Sequence, residues 1–358
     1  MEWNQGIGAS PQDAAPRNRH MAWPAWKADM DDTTVFTAKG LEAMARGFQR
    51  SAVVLAAVEL GVFTALSNGS ATARGTAKLI NADPRGTDRL LRALAHLGLV
   101  ESTETGFRNT PVSERFLSEA SPEFMAHFKH QANVYRSWGT LAQAVKAGGA
   151  VHERSQSPEA TRDFIAAMHF RAQYVADQCA AGLGLTGVDR VLDVGGGSGA
   201  FSMAFCRARP ELSATLLDLD HVLDLAREYV AAESLEQRIS FLPGDYHTTD
   251  FGQDFDLVFF SAIVHINSPE QNQALLKKAH DALRPGGRVA VRDFIMDEER
   301  MKPERGVLFA LNMLVNTPGG DSYTEAELRD WMAGAGFEDM ELVETDPGAT
   351  TLVGKRIY

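Results

Sequence analysis

The hydrophobic positions of this chain follow a helical period in its first half and gather into short runs in its second half. Apolar side chains that recur every three or four residues predict amphipathic helices. We expect such helices at residues 40–47, 51–60, 72–80, 87–97, 122–148 and 158–182. From about residue 186, short apolar runs alternate with helical stretches, which predicts a parallel α/β sheet.

The pattern divides the chain into four segments. Residues 1–35 are polar and contain several prolines, so we expect a poorly ordered leader. Residues 36–120 are expected to form a mainly helical N-terminal domain, followed by linker helices over 121–185 that contribute to a substrate pocket. Residues 186–358 form the predicted α/β domain, and a chain of 358 residues is long enough for two domains.

Two predicted helices separated by a break at Asn81–Pro84 and followed by a short hairpin within Leu99–Asn109 are typical of a winged helix. This order raises the alternative of a DNA-binding regulator, because Arg85, Arg89 and Arg92 lie along the second helix. The other interpretation is a solvated basic face. Interspersed acidic residues and a net charge of −12 favour that second interpretation.

The segment Ser51–Leu60 is apolar nearly all round, with Glu59 as its one charged residue. Such a helix is buried on more than one side, and in a small domain a partner subunit often covers it. The sequence therefore predicts a homodimer.

Composition limits the partners and the compartment. A net charge of −12 argues against nucleic acid or an anionic membrane surface as a partner. The chain has no run of about twenty apolar residues that could span a membrane. Cys179 and Cys206 are its only cysteines; two thiols in apolar surroundings favour buried packing residues in a reducing, cytoplasmic compartment.

A glycine-rich turn follows the predicted strand Val191–Val194. Glycines let the backbone adopt positive φ and approach a ligand, and the next helix, Ala200–Ala208, offers free N–H groups at its start. A second strand ends at Asp218, where a carboxylate can accept hydrogen bonds from ribose hydroxyls. These features predict a site for a nucleoside-containing cofactor.

The glycine spacing also satisfies a relaxed dinucleotide fingerprint, so NAD is an alternative. Three features favour S-adenosylmethionine. Asp193 precedes the glycines, where it can approach the cationic end of a sulfonium ligand. Ala282–Val289 predicts a helix end, a tight turn and a new strand. The closing strands, Glu338–Glu344 and Thr350–Arg356, are joined by so short a turn that they must be antiparallel.

His265 lies just past the predicted strand Phe255–Ser261, beside the point where open α/β sheets bind ligands. A phenol has a pKa of about 10, so forming the free phenolate at pH 7 costs about 4 kcal/mol. A neutral histidine can accept that proton while the new bond forms. Asp293 ends the next strand and could hold the other ring nitrogen, since neighbouring strands lie about 5 Å apart.

From about residue 40 to its end, the chain resembles the small-molecule O-methyltransferases that combine a winged-helix dimerisation domain with a class I catalytic domain. Plant caffeate and flavonoid methyltransferases and bacterial polyketide, anthracycline and phenazine tailoring enzymes share this plan. The segments that carry the resemblance are Leu192–Gly199, Leu217–Leu219, Pro243–Tyr246, the region of His265, Leu283–Gly287 and Pro318–Gly320. It implies a class I Rossmann-like sheet with a C-terminal antiparallel hairpin, and methyl transfer from S-adenosylmethionine to a hydroxyl.

The resemblance also implies roles for individual residues. His265 would be the general base, and Asp293 would orient it. Asp218 would bind the ribose of the cofactor, and Asp245 and Tyr246 would hold its adenine ring. The remaining expected cofactor contacts are Asp193, Gly195, Gly197, Leu219 and Ser261.

Three positions depart from the plant enzymes. Ile266-Asn267 replaces the Asp-Trp that follows their histidine, and Ser261 replaces a lysine on the preceding strand. Ser322 aligns with their second base-orienting glutamate, while Asp321 and Glu325 are nearby but offset. Relatives that methylate nitrogen or carbon, or that have lost methyl transfer, leave two alternatives: an N- or C-methyltransferase of the same fold, and a non-catalytic ligand-binding regulator.

The acceptor is expected between His265, the helix Arg305–Val315 and the linker helices. His169 either contacts substrate or faces solvent. No group of residues has metal-ligand spacing, and an apolar pocket fits catalysis without a metal. The expected walls of the pocket are Phe164, Met168, Phe309, Asn312 and Met313.

Overall fold

The computed structural model describes residues 37–69, 71–152, 157–346 and 349–358. The predicted leader and the tip of the predicted C-terminal turn lie outside these residues. The chain divides into two compact units, Met1–Ser51 and Ala52–Tyr358. In the described part of the first unit, helix α1 spans Ala38–Arg46, and Thr37 caps it by accepting a hydrogen bond from the N–H of Gly40 at 3.0 Å.

The second unit begins within helix α2 and continues as a helical region interrupted by one hairpin. Its elements are α2 (Phe48–Glu59), α3 (Val62–Leu66), α4 (Ala73–Leu79), α5 (Pro84–His96), β1 (Val100–Thr103), β2 (Gly106–Asn109), α6 (Pro111–Leu117), α7 (His127–Trp138), α8 (Leu141–Ala147), α9 (Pro158–Ala172) and α10 (Ala176–Leu183). β1 and β2 pair antiparallel, as predicted. Phe63, Leu91 and Leu94 are fully buried in the core of this region.

The predicted break before the second helix is an N-terminal cap. Asp83 accepts a hydrogen bond from the N–H of Gly86, and Pro84 occupies the first turn of α5. On the same helix Asp88 forms ion pairs with both Arg89 and Arg92. Because one carboxylate pairs with both arginines, this helix is less suited to bind DNA than its arginine spacing indicates.

The rest of the chain forms a seven-stranded sheet flanked by helices. Its elements are β3 (Arg190–Val194), α11 (Ala200–Ala208), β4 (Ser213–Asp218), α12 (Asp220–Ala232), β5 (Ile239–Pro243), β6 (Phe255–Ser261), a 3₁₀ helix (Val264–Ile266), α13 (Pro269–Ala282), β7 (Leu283–Asp293), α14 (Glu304–Asn316), α15 (Glu325–Ala335), β8 (Phe337–Asp346) and β9 (Ala349–Arg356). The strand order is β5-β4-β3-β6-β7-β9-β8.

The directions of the strands agree with the prediction. β3 to β7 run parallel, whereas β9 is antiparallel to both β7 and β8. Alternate residues of β3 enter different cores: Val191 belongs to one cluster, and Leu192 and Val194 belong to the other. Helices therefore cover both faces, as the continuous apolar runs of a buried parallel sheet require. Because these strands are parallel, the C-terminal ends of β3, β4, β6 and β7 lie at the same edge of the sheet, and the expected site residues follow them.

One local expectation needs correction. The segment after Ala282 was predicted to turn before a new strand, but β7 starts at once at Leu283. The ladder with β6 then skips from the pair Phe255–Leu283 to the pair Leu257–Arg288. The turn is therefore an insertion within β7, because the residues of the turn bulge out of a strand that has already paired.

None of the helices in the described residues combines the length and apolar composition that a membrane crossing needs. No group of three or more His, Cys, Asp or Glu side chains in this part of the chain has an arrangement that could hold a metal ion.

Candidate active site

The glycine turn after β3 comes very close to neighbouring side chains. Gly195 has a φ of 66°, and a Cβ at this position would overlap Cδ1 of Ile263. Only glycine satisfies both constraints without strain. The turn leads directly into α11, which begins at this edge of the sheet without a side-chain cap from Gly199.

Asp218 ends β4 and holds the glycine turn. Its Oδ2 accepts a hydrogen bond from the N–H of Gly197 at 2.9 Å, and its Oδ1 accepts one from the N–H of Leu219 at 2.8 Å. Burial raises the pKa of Asp218, and the two hydrogen bonds oppose this shift. The side chain of Leu219 is 44% exposed, which leaves an apolar surface beside the acid.

Asp193 lies beneath the turn and is 1% exposed. Ser202, in the first turn of α11, donates a hydrogen bond to its Oδ2 at 2.6 Å. A Cβ on Gly196 would lie 2.8 Å from Cγ of Asp193, so the turn passes directly over the carboxyl group. Burial raises the pKa of Asp193 to about 6, and the charge of Asp218 adds to the shift. A cationic ligand above the turn would stabilise the ionised form.

Asp245 and Tyr246 follow β5 at the same edge. Asp245 is exposed, and its Oδ1 accepts a hydrogen bond from the N–H of His247 at 2.8 Å. Tyr246 is half-buried, and its hydroxyl donates to Oδ1 of Asn267 at 3.4 Å. Burial raises the pKa of Tyr246 to about 12. Its Cε1 is 3.6 Å from the position that a Cβ on Gly195 would take, so the ring lies against the glycine turn.

Ser261 is the last residue of β6, and its hydroxyl already has a protein partner. Nη1 of Arg292 donates a hydrogen bond to Oγ of Ser261 at 3.3 Å. The guanidinium of Arg292 also lies over the ring of Phe201, 5.1 Å from its centroid. The expected contact of Ser261 with the cofactor therefore stays a prediction.

His265 and Asp293 meet where β6 and β7 end. Nδ1 of His265 lies 2.8 Å from Oδ1 and 3.0 Å from Oδ2 of Asp293. The ring of Phe309 contacts the imidazole edge-on, with centroids 4.7 Å apart. A Cβ on Gly320 would overlap the carbonyl oxygen of His265, so the Pro-Gly-Gly turn supports this backbone closely. No hydrogen bond joins Nε2 of His265 to any described residue, and this nitrogen remains available to a substrate.

The position that aligns with a second orienting acid does not reach the histidine. Oγ of Ser322 donates to the carbonyl oxygen of Gly306 at 3.1 Å. Asp321 and Glu325 each form an ion pair with an arginine instead. Asp293 is therefore the acid that holds His265 in the part of the chain that the structure describes.

Asn312 was expected to need a partner, and α7 supplies one. Nε1 of Trp138 donates to Oδ1 of Asn312 at 3.0 Å, and Nδ2 of Asn316 donates to the same oxygen at 3.1 Å. The amide nitrogen of Asn312 has no hydrogen-bond partner among the described residues. It can therefore donate to a ligand.

The other expected walls of the acceptor pocket differ in their surroundings. Phe309 contacts His265 directly, whereas Met313, on the same helix, is buried with 6% of its surface exposed. Phe164 is half-buried against the cluster around Ile165, and Met168 is half-buried on the same helix. The structure thus brings Phe309 to the imidazole, and the contacts of Phe164 and Met168 with substrate stay predictions.

His169 was expected to contact substrate or to face solvent, but in the structure it contacts two protein side chains. Its Nδ1 lies 2.9 Å from Oγ of Ser198 in the glycine turn, and its ring stacks on Tyr229 with centroids 3.9 Å apart. Sequence reasoning did not identify Ser198 or Ser202 as parts of the site. The position of Ser202 in the first turn of α11 was a signal that could have predicted its hydrogen bond to Asp193.

These residues fit S-adenosylmethionine on structural grounds. The glycine turn packs closely on its neighbours at the start of a helix, Asp218 and Leu219 suit a nucleoside, and Asp193 has no ion-pair partner among the described residues. An imidazole held at one nitrogen can accept a proton at the other.

Two known protein families match the sequence of this chain. Residues 128–338 match the O-methyltransferase domain family, and residues 43–119 match the O-methyltransferase dimerisation domain family. The chain belongs to the O-methyltransferase family. It is an S-adenosylmethionine-dependent methyltransferase with a dimerisation domain ahead of its catalytic domain.

Individual relatives cover nearly the whole chain. The chain is 33% identical to 3-hydroxy-5-methyl-1-naphthoate 3-O-methyltransferase of Streptomyces sahachiroi, over 87% of this chain and 93% of that protein. It is 30% identical to the tetracenomycin polyketide synthesis 8-O-methyl transferase of Streptomyces glaucescens, over 86% and 94%. The crystal structure of human N-acetylserotonin methyltransferase in complex with S-adenosylmethionine has a TM-score of 0.75, 26% identity, and coverage of 92% and 99%. The Rossmann-like fold of this family is therefore established for the chain.

Proposed function

We propose that this enzyme transfers a methyl group from S-adenosylmethionine to a hydroxyl of a small aromatic or polyketide-like molecule, with His265 as the general base. The observation that carries the proposal is the contact of 2.8 Å between Nδ1 of His265 and Asp293, combined with the absence of a described partner for Nε2. Phe309 lies edge-on to the same imidazole and offers an apolar surface for an aromatic acceptor.

Asp293 sets the state of the base. A carboxylate at Nδ1 favours the tautomer that carries its proton there, which leaves the lone pair of Nε2 directed at the acceptor hydroxyl. As the acceptor oxygen forms its bond to the methyl carbon, the O–H bond breaks and Nε2 takes the proton. Proton transfer during this step avoids the cost of about 4 kcal/mol for a free phenolate at pH 7.

The cofactor supplies an electrophilic methyl group on a sulfonium when it is bound. In the proposed arrangement Asp218 accepts hydrogen bonds from the ribose, and Leu219 and Tyr246 lie against the nucleoside together with Asp245. Gly195, Gly197 and Asp193 hold the amino-acid end. The proximity of Tyr246 to Gly195 and the exposure of Leu219 support this assignment.

The acceptor would lie over Phe309, with the amide nitrogen of Asn312 as a hydrogen-bond donor. Phe164, Met168 and Met313 are the further walls that we propose. The names of the relatives support an aromatic hydroxyl as the methyl acceptor, since they specify a naphthoate, a tetracenomycin polyketide and acetylserotonin.

The dimerisation domain supports a homodimer. Val54 and Leu55 of α2 are half-buried in the single chain and belong to none of its described core clusters. A second copy of the chain would cover this apolar surface.

A screen of hydroxylated aromatic molecules with labelled S-adenosylmethionine tests the function. We expect a labelled methyl ether, with S-adenosylhomocysteine as the second product. Label found only on nitrogen or carbon would replace the O-methyl assignment with one of its alternatives.

A further inference from the structure

The hydrogen bond between Trp138 of α7 and Asn312 of α14 fixes the orientation of the asparagine amide. Nε1 of Trp138 lies 3.0 Å from Oδ1 of Asn312. An indole N–H can only donate a hydrogen bond, so the amide atom that faces it must be the oxygen. The amide nitrogen of Asn312 therefore lies on the side of the group that is turned away from the indole.

Asn316, one turn further along α14, holds the amide in the same orientation. Its Nδ2 donates to the backbone carbonyl oxygen of Asn312 at 2.8 Å and to Oδ1 of Asn312 at 3.1 Å. A backbone carbonyl oxygen only accepts, so the donating atom of Asn316 is also settled. Two donors occupy both lone pairs of Oδ1. The amide of Asn312 can therefore serve a ligand only through its own N–H groups.

These N–H groups of Asn312 are available. Its Nδ2 has no hydrogen-bond partner among the described residues. It is also not one of the side-chain atoms in this part of the chain that are closed to solvent and lack a partner. The residue itself is half-buried. An aromatic molecule that binds beside this amide displaces its water, so the molecule must itself offer an acceptor atom to avoid leaving a buried donor unpaired.

Helix α14 places this donor close to the proposed base. Phe309 precedes Asn312 by three residues, and residues at this spacing share one face of a helix, about 4.5 Å apart along its axis. The ring of Phe309 contacts the imidazole of His265, with centroids 4.7 Å apart. The N–H of Ala150, after α8, donates to the carbonyl oxygen of Thr317 at 3.3 Å, a second contact that holds the linker helices against the end of α14. An acceptor that lies over Phe309 therefore comes within reach of the amide.

We propose that Trp138 and Asn316 hold Asn312 as a hydrogen-bond donor to a carbonyl oxygen of the methyl acceptor, so that the enzyme prefers hydroxylated aromatic ketones and quinones to phenols without a carbonyl group. The oxygen of a ketone or quinone only accepts hydrogen bonds, which matches an amide that can only donate. Trp138 is a positioning residue, because it acts through Asn312. This inference rests on the proposed function and specifies its substrate class.

The test compares isomeric hydroxy-β-tetralones with the corresponding hydroxytetralins, which lack the ketone. A methylene group separates the ketone from the phenol ring in the β-tetralones, so the acidity of the hydroxyl stays nearly constant within each pair. Calorimetry uses the wild-type enzyme loaded with S-adenosylhomocysteine. At least one ketone should bind about two- to tenfold more tightly than its tetralin, the range for one neutral hydrogen bond.

Three variants assign the preference to this group of side chains. Asn312→Asp keeps the oxygen that faces Trp138 and loses both N–H groups, so the preference for the ketone should disappear. Trp138→Phe keeps an aromatic ring and loses the indole N–H. It should lower the ratio of ketone to tetralin affinity only in part, because Asn316 still holds the amide. Tyr135→Phe, an exposed change on the same helix as Trp138, is the matched control and should leave the ratio unchanged.

The outcomes separate this inference from the function on which it rests. Equal affinity for every ketone and its tetralin in the wild-type enzyme would overturn the inference while leaving methyl transfer intact. An equal loss for ketone and tetralin in Trp138→Phe would assign Trp138 to packing and overturn its positioning role. A preference for ketones without methylation of any hydroxyl would instead contradict the proposed function alone. If Trp138→Phe does not fold, the wild-type comparison and Asn312→Asp still decide.

Discussion

Nδ1 of His169 lies 2.9 Å from the hydroxyl of Ser198, which ties helix α9 to the glycine turn. The same helix carries Phe164 and Met168, which we propose as walls of the acceptor pocket. Burial lowers the pKa of His169, so its ring is neutral near pH 7. A neutral ring stacked on Tyr229 has one orientation in which Nδ1 reaches Ser198. The contact would therefore link the proposed positions of cofactor and acceptor.

His169→Ala is expected to weaken S-adenosylhomocysteine binding about two- to tenfold, because one hydrogen bond contributes about 0.5–1.5 kcal/mol. Calorimetry measures this change. Ser198→Ala should have an effect of similar size, and the double variant should lose little more than either single one. Fully additive losses would show that the two side chains act independently.

Asp218→Ala is expected to weaken S-adenosylhomocysteine binding by about 1.5–3 kcal/mol. Asp218 also holds the N–H of Gly197, so the variant loses order in the turn as well as the predicted ribose contact. Asp218→Asn keeps one acceptor oxygen and should lose less. Asp224→Ala, at an exposed acid on α12, is the control. Unchanged affinity in Asp218→Ala would place the ribose elsewhere.

The pattern of the sequence predicted the parts of the fold and site that depend on nearby residues. The glycine turn, the acids that end β4 and β7, and the antiparallel hairpin are all marked by short runs of residue types. The contact between His265 and Asp293 was also predictable, because parallel strands end at the same edge of the sheet.

Contacts between distant helices were not predictable in this way. Trp138 reaches Asn312 across 174 positions of the sequence, and His169 reaches Ser198 because α9 packs against α11 and α12. No local period encodes which helices meet. Burial of Nε of Arg171 without a described hydrogen-bond partner is likewise visible only in three dimensions, since the residue type alone predicts a solvated charge.

Asp193→Asn is expected to stabilise the cofactor-free enzyme at neutral pH. The pKa of Asp193 is about 6 in the folded protein, against 3.8 for an ordinary Asp. The folded state therefore binds the proton more tightly, and ionisation costs stability as pH rises from about 4 to 6, on the order of 3 kcal/mol. Denaturant unfolding should show similar stabilities at pH 4 and an advantage for the variant at pH 7.5.

The comparison of wild-type and Asp193→Asn stability isolates the contribution of Asp193. His127, whose pKa is lowered to about 4, has the opposite dependence on pH, but it is present in both proteins and cancels. The variant should also bind S-adenosylmethionine more weakly at pH 7.5, because the cation of the ligand loses its carboxylate. Unchanged affinity would remove Asp193 from the cofactor site.

The wild-type protein is expected to sediment as a dimer of its 39.0 kDa chain at micromolar concentration. Val54→Glu, on the apolar surface of α2, should shift it towards the monomer because a charge cannot be buried there without a partner. Lys277→Glu, an exposed change on α13, should leave the dimer intact. A single species of monomer mass for the wild type would contradict the proposed role of α2.

His265→Ala and His265→Gln are expected to lower the rate of methyl transfer to a weakly acidic phenol about 10²–10⁴-fold. Cofactor affinity should be nearly unchanged, because the imidazole contacts Asp293 and Phe309 and none of the residues assigned to the cofactor. Asp293→Asn should have a smaller effect in the same direction, since an amide no longer fixes the tautomer. Single-turnover rates with labelled S-adenosylmethionine measure both effects.

The acidity of the acceptor decides how much the base contributes. A weakly acidic phenol needs a group that takes its proton during the reaction. An acceptor that is already ionised needs only correct placement. Across a series of phenols of rising acidity, the loss in His265→Ala should therefore shrink, whereas the loss in Asp218→Ala should stay constant. A loss in His265→Ala that is independent of acidity would show that this residue positions the acceptor and does not accept its proton.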